Sequence, residues 1–146
     1  MAGEGRVGFC IDESLGRTIA PVLRQVRAPG APDIHHVSEL GLHGTTDEVL
    51  LHELGQRNFA ALVTKDSRML RAATRQAAWQ GSGICLFVAD GKWGNLPMFE
   101  QARQLLWWWP AMVAQAQVAP MGGAWQVTRD KGPSGLRRLL PVLDGS

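Results

Sequence analysis

At 146 residues, with 45% apolar and 19% charged side chains, the chain is long enough to bury one substantial core and too apolar to be disordered. A formal charge of +2 does not by itself announce a nucleic-acid partner, so the distribution of charge has to carry that argument. No apolar run reaches membrane-spanning length, the first residues carry no secretory signal, and no Cys/His cluster suggests zinc; a single cytoplasmic domain over residues 1–146 is expected.

Val7 to Ile11 is a short run of strand formers closed by Asp12 and Glu13. Leu15, Ile19, Val22, Leu23 and Val26 then recur at helical spacing, with Arg17, Arg24 and Arg27 outside that stripe. Pro29, Gly30 and Pro32 end the helix, and Ile34 to Val37 reads as a second strand. Gly41 to Gly44 is a loop, after which Thr45 and Glu48 have capping-box spacing and Asp47 lies in the first turn of the next helix. Ala60 to Thr64 is a third strand, and Asp66 or Ser67 can cap a helix running to about Gln80. Ile84 to Ala89 is a fourth, ending at Asp90. Cys10 and Cys85 lie inside apolar runs and are expected as buried, reduced thiols on neighbouring strands. Beyond Asp90 the pattern weakens. Asn95 to Gln117 is helical in character, with Pro110 expected to kink or split it, and Ala124 to Thr128 is a candidate fifth strand. Leu136 to Leu143 reads equally as an edge strand or a short tail segment.

Strand–helix alternation at this spacing predicts a mostly parallel sheet with helices on both faces. In such sheets ligands bind beyond the carboxyl ends of the strands. Asp12, Asp66 and Asp90 fall at that edge, and Asp47 reaches it if its helix begins there. Each acid alone has a bland explanation as a cap or a solvated loop residue. Their shared edge does not, because like charges repel unless a cation lies among them. Hard carboxylate oxygens suit Mg²⁺ or Mn²⁺, and no soft ligand is near.

The run from Asp12-Glu13-Ser14-Leu15 through Gly41-Leu42-His43-Gly44-Thr45-Thr46-Asp47-Glu48 to Leu62-Val63-Thr64-Lys65-Asp66 resembles PIN-like domains. Within them it is most similar to the branch whose members often serve as VapC-type toxins of toxin–antitoxin pairs. The resemblance covers about residues 7 to 90 and implies a three-layer α/β/α sandwich, a Mg²⁺ or Mn²⁺ site and endonucleolytic cleavage of RNA. It also implies Asp12, Asp47 and Asp66 as the catalytic, metal-binding acids. Glu13, Glu48 and Asp90 would be supporting members. Two positions depart from the family pattern: Arg68 stands where many relatives carry a further Asp, and Ser14 where many carry Asn. The first weakens the case for a second metal.

Lys65, Arg68, Arg71 and Arg75 form a basic stripe leading away from Asp66, suited to holding RNA phosphates. Arg17 is a weaker candidate of the same kind. Lys92 and Trp93 follow the fourth strand, where a tryptophan either packs or stacks on an unpaired base. His35, His36 and His43 lack ligand spacing and read as structural. Trp107, Trp108 and Trp109 cannot all face one side of a helix, so part of that surface suits another element, an antitoxin or a second copy of the chain. A metal-dependent ribonuclease is the leading expectation. A non-catalytic PIN-like module binding RNA or protein is the alternative. A phosphoacceptor receiver domain is disfavoured, since the fourth strand ends Val88-Ala89-Asp90 without the hydroxyl such a site needs.

Overall fold

A computed structural model describes residues 8–26, 33–66, 73–89, 93, 95–118, 123–127 and 136–139. Apolar runs too short for helices become strands β1 (Gly8–Ile11), β3 (Phe59–Thr64), β4 (Cys85–Ala89) and β5 (Ala124–Val127), and the alternating Asp-Ile-His-His segment becomes β2 (Asp33–His36). Together with a two-residue β6 (Arg137–Arg138) they form one sheet in the order β2-β1-β3-β4-β5-β6. The first five strands run parallel, and β6 pairs antiparallel to β5 at the edge. A parallel sheet needs a crossover between successive strands, and helices supply it here.

Alternation along each strand splits the core into two layers. Phe9, Ile11, Val63, Phe87 and Val127 face helices α1 (Ile19–Val26) and α4 (Met98–Val118). Cys10, Leu62, Leu86 and Val88 face the opposite way, against Leu50, Leu51 and Leu54 of α2 (Asp47–Gln56) and Trp79 of α3 (Ala73–Ser82). The result is the expected three-layer α/β/α sandwich. On the α1/α4 side Phe9 stacks beside Phe87, with ring centroids 6.2 Å apart, and meets Trp109 at 5.0 Å.

Several local expectations are corrected. Helix α1 begins only at Ile19, so Leu15 is buried from a turn, and the buried helical face is Ile19, Ala20 and Leu23. Val22 and Val26 fall off that face and are exposed. Thr46, not Thr45, caps α2: its hydroxyl accepts the Val49 N–H at 3.3 Å, while Thr45 Oγ1 donates to the Leu42 carbonyl. Cys10 and Cys85 are free and buried, but β3 lies between their strands and they face opposite layers. Burial pushes both thiols up, Cys85 to about 12, which keeps them protonated and unreactive. The 21-residue α4 runs through Pro110 without being split.

Candidate metal centre

From β1 the chain crosses to β2 on one side, and from β2 it crosses back past β1 to β3 on the other, so the strand order reverses there. Between β1 and β3 the carboxyl ends therefore open onto the topological switch point, where open α/β sheets bind their ligands. Asp12 follows β1 directly and donates its N–H to the Val63 carbonyl of β3 at 2.9 Å, which fixes its backbone at the mouth of that crevice.

A compact hydroxyl network surrounds the Asp12 carboxylate. Its Oδ2 accepts from Thr64 Oγ1 at 2.7 Å, from Ser14 Oγ at 2.8 Å and, at longer range, from the Ser14 N–H at 3.4 Å. Both hydroxyls are themselves oriented by peptide groups of the segment leaving β3. Lys65 N–H donates to Ser14 Oγ at 3.2 Å, and Asp66 N–H donates to Thr64 Oγ1 at 2.9 Å. Since each hydroxyl has one proton and each gives it to Asp12, the 3.2 Å approach of Ser14 Oγ to Thr64 Oγ1 is a contact of two donors converging on one acceptor. Asp12 is only 8% exposed and Thr64 is fully buried, so this network is sheltered from competing water. No donor reaches Asp12 Oδ1 among the described residues.

The other expected acids are placed differently. Asp66 is half-buried and tied to Asp12 through Thr64. Asp47 occupies the first turn of α2, as expected, and is half-buried. Glu13 is exposed and fastens a loop: its Oε1 accepts the Gly44 N–H at 2.9 Å and lies 3.7 Å from His43 Nδ1. That bond joins the loop after β1 to the loop that leads into α2, where Gly44 takes a positive φ of 81°. Glu48 lines a groove of about 460 Å³ between α2 and α3 with His52, Gly55 and Gly81, rather than joining Asp12. Among the described residues no three His, Cys, Asp or Glu side chains come together closely enough to hold a metal ion. Drawing Asp12, Asp47 and Asp66 together would set like charges side by side, which is costly unless a cation lies among them. The donor chemistry at Asp12 is that of a hard carboxylate oxygen ligand, with Oδ2 accepting from both hydroxyls.

Arg68, Arg71, Asp90 and Lys92 lie outside the described residues. Arg75 is in α3, Lys65 is half-buried beside Asp66, and Arg17 is exposed before α1. Trp93 is fully buried, so of its two readings, packing or base stacking, it takes the first. Its carbonyl and that of Leu96 accept from Gln101 Nε2, which pins the loop before α4. His36 is structural. It caps the 3-10 turn Val37–Leu40, with Nδ1 accepting the Ser38 N–H and Nε2 donating to the Leu15 carbonyl at 3.1 Å. Glu39 completes that cap by accepting the His36 N–H and pairs bidentately with Arg24 at 2.8 and 2.9 Å. This guanidinium holds the Glu39 carboxyl down at about 2. His35 lies 3.9 Å from the same carboxylate.

Ser14 and Thr64 are the site residues that the acid-centred sequence reading passed over. Their signal was present as spacing: a hydroxyl two residues after Asp12, in Asx-turn position, and another two residues before Asp66.

Residues 8–91, more than half of the chain, match the family model described as a PIN like domain. No curated protein and no solved structure matches the chain.

Proposed function

We propose that this chain, which belongs to the PIN-like domain family, is a metal-dependent endoribonuclease, acting as the toxin of a toxin–antitoxin pair of the VapC type. The observation that carries the reading is the buried, hydroxyl-clamped Asp12 at the switch point between β1 and β3. A carboxylate so held stays ionised and fixed in orientation, which is what a hard cation requires of a first ligand.

Asp12, Asp47 and Asp66 would hold Mg²⁺ or Mn²⁺, with Asp90 as a further oxygen donor. When bound, the ion supplies Lewis acidity for activating water and neutralises charge on the scissile phosphate. The chain's own groups do the rest. Ser14 and Thr64 fix the carboxylate plane of Asp12, and the Glu13–Gly44 bond sets the loop from which Asp47 follows. Lys65 and the arginines at 68, 71 and 75 would take the RNA backbone, giving affinity that falls with salt.

A protein partner, antitoxin or second copy, has an apolar face available on α1 and α4. Val22, Met98, Phe99 and Trp107 are exposed there, Phe99 to 75%, beside a cavity of about 260 Å³. Two observations favour a non-catalytic module instead: the three acids are not gathered among the described residues, and Arg68 replaces a frequent fourth.

Cleavage of end-labelled RNA in millimolar Mn²⁺, by wild type and Asp12→Asn, tests the proposal. Cutting by wild type that chelator and the Asn variant both abolish is expected. RNA binding that survives the substitution, without any cutting by wild type, would establish the binding module in its place.

A further inference from the structure

Among the described residues β2 is the outermost strand on its side of the sheet, with β1 on one flank and no strand on the other. Such an edge presents unpaired N–H and C=O groups and is a template for another chain. The N–H and C=O of one strand residue point to the same side, and those of the next residue to the other. On β2 the outward groups include the Ile34 carbonyl and the His36 N–H, and neither is open. Arg24 Nη1 donates to the Ile34 carbonyl at 2.6 Å, and Glu39 Oε1 accepts the His36 N–H at 2.8 Å. The guanidinium from α1 and the carboxylate from the 3-10 turn also close on each other, at 2.9 Å from Nη1 to Oε1 and 2.8 Å from Nη2 to Oε2. Arg24 thus stands in for the N–H of a neighbouring strand, and Glu39 for its C=O.

We propose that Arg24 and Glu39 form a strap that shuts the outer edge of β2, and that the partner it excludes is the same edge of a second copy of this chain. The register carries the choice of partner. Two antiparallel β2 edges related by a two-fold axis at His35 set Ile34 of one copy opposite His36 of the other. A hydrogen-bonded pair of that kind gives each copy's Ile34 carbonyl the other's His36 N–H. Those are the two groups that the strap occupies. Charge-assisted bonds are stronger than neutral ones, so the strap prevails over strand pairing while both side chains are present. Both are partly exposed, so removing either one opens the edge without emptying the core.

Disulfide trapping at the two-fold position tests the proposal on the full chain. There residue 35 meets its own copy as a non-hydrogen-bonded pair, with Cα atoms about 4.5 Å apart, within reach of a disulfide. His35 is partly exposed and the native thiols of Cys10 and Cys85 are buried, so His35→Cys adds one accessible thiol to a chain that keeps its strap. Under a mild oxidant, adding Arg24→Ala or Glu39→Ala should raise the yield of dimer linked through position 35 about 10-fold or more, as expected for backbone bonds regained across the axis. His52→Cys, at an exposed position of α2, measures random collision and should not respond to either change. Arg24→Glu combined with Glu39→Arg restores the ion pair but turns an acceptor toward the Ile34 carbonyl and a donor toward the His36 N–H. The edge should stay open in that exchange, whereas a pair that only ties α1 to the turn would be rescued. Folded Arg24→Ala and Glu39→Ala chains that crosslink through position 35 no more than the strapped chain would overturn the proposal, as would rescue by the exchange. Crosslinking that rises equally through His52→Cys would also overturn it, because the contact would then lie elsewhere.

Discussion

Asp12 concentrates three demands on one residue: it follows a buried strand directly, accepts both hydroxyls and lies at the carboxyl edge of the sheet. Asp12→Asn should therefore remove any Mn²⁺-dependent rise in melting temperature while the wild type shows one, measured by circular dichroism with and without millimolar Mn²⁺. A different carboxylate makes a cleaner pH prediction. Glu39 is held at about 2 by Arg24, below its ordinary 4.5, so the folded state gains from its ionised form. That gain is present above about pH 4.5 and is lost as pH falls toward 2. Both partners are partly exposed, so screening limits the effect to about 1 kcal/mol. Glu39→Gln should accordingly melt below wild type at pH 6 and converge with it by pH 2.5. Curves that stay equally separated down to the lowest pH would show that the pair is not the cause. At this scale the sequence made Asp12, the Asp47 helix start and the structural histidines legible. The packing of Trp93 was legible too, whereas the loop-fastening bond of Glu13 was not, because its partner, Gly44, lies far along the chain.

Helix α4 shows what a single element can be asked to do. Trp108 and Trp109 are fully buried against the sheet, while Trp107 is 58% exposed. Trp108→Ala should cost about 3–5 kcal/mol, a large part of a typical domain's stability, and Trp107→Ala less than about 0.5 kcal/mol. Urea unfolding of the two variants measures the contrast, and equal midpoints would overturn this assignment of faces. Pro110 is exposed inside the same helix and can give no N–H to the turn before it. Pro110→Ala should raise stability by about 1–3 kcal/mol, visible as a higher urea midpoint. An unchanged or lower midpoint would mean that the proline ring itself contributes to packing. The existence and order of β1 to β4 and of α2 followed from apolar runs punctuated by Gly, Pro and Asp. The limits of α1 and α4 did not, since α1 gives up its expected first turn to the loop that buries Leu15, and α4 is kept whole by packing that outweighs one proline.

In the molecule as a whole, the parallel sheet and its two helical layers were legible because the alternation of periods is strong and local. Strand order was not, since no pattern within β1 states that it lies between β2 and β3. That order has a consequence for synthesis. Strands β2, β1 and β3, with Asp12, Asp47 and Asp66, are complete once residue 66 has left the ribosome. The apolar layer over Phe9, Ile11, Ile19 and Leu23 still waits for α4, which is not finished until Val118. During that interval the nascent chain carries its candidate acids in place above a bare hydrophobic face. A chain cut short before the tryptophans would bare that same face permanently, and would be expected to go to chaperones or aggregates rather than to persist as a smaller working domain.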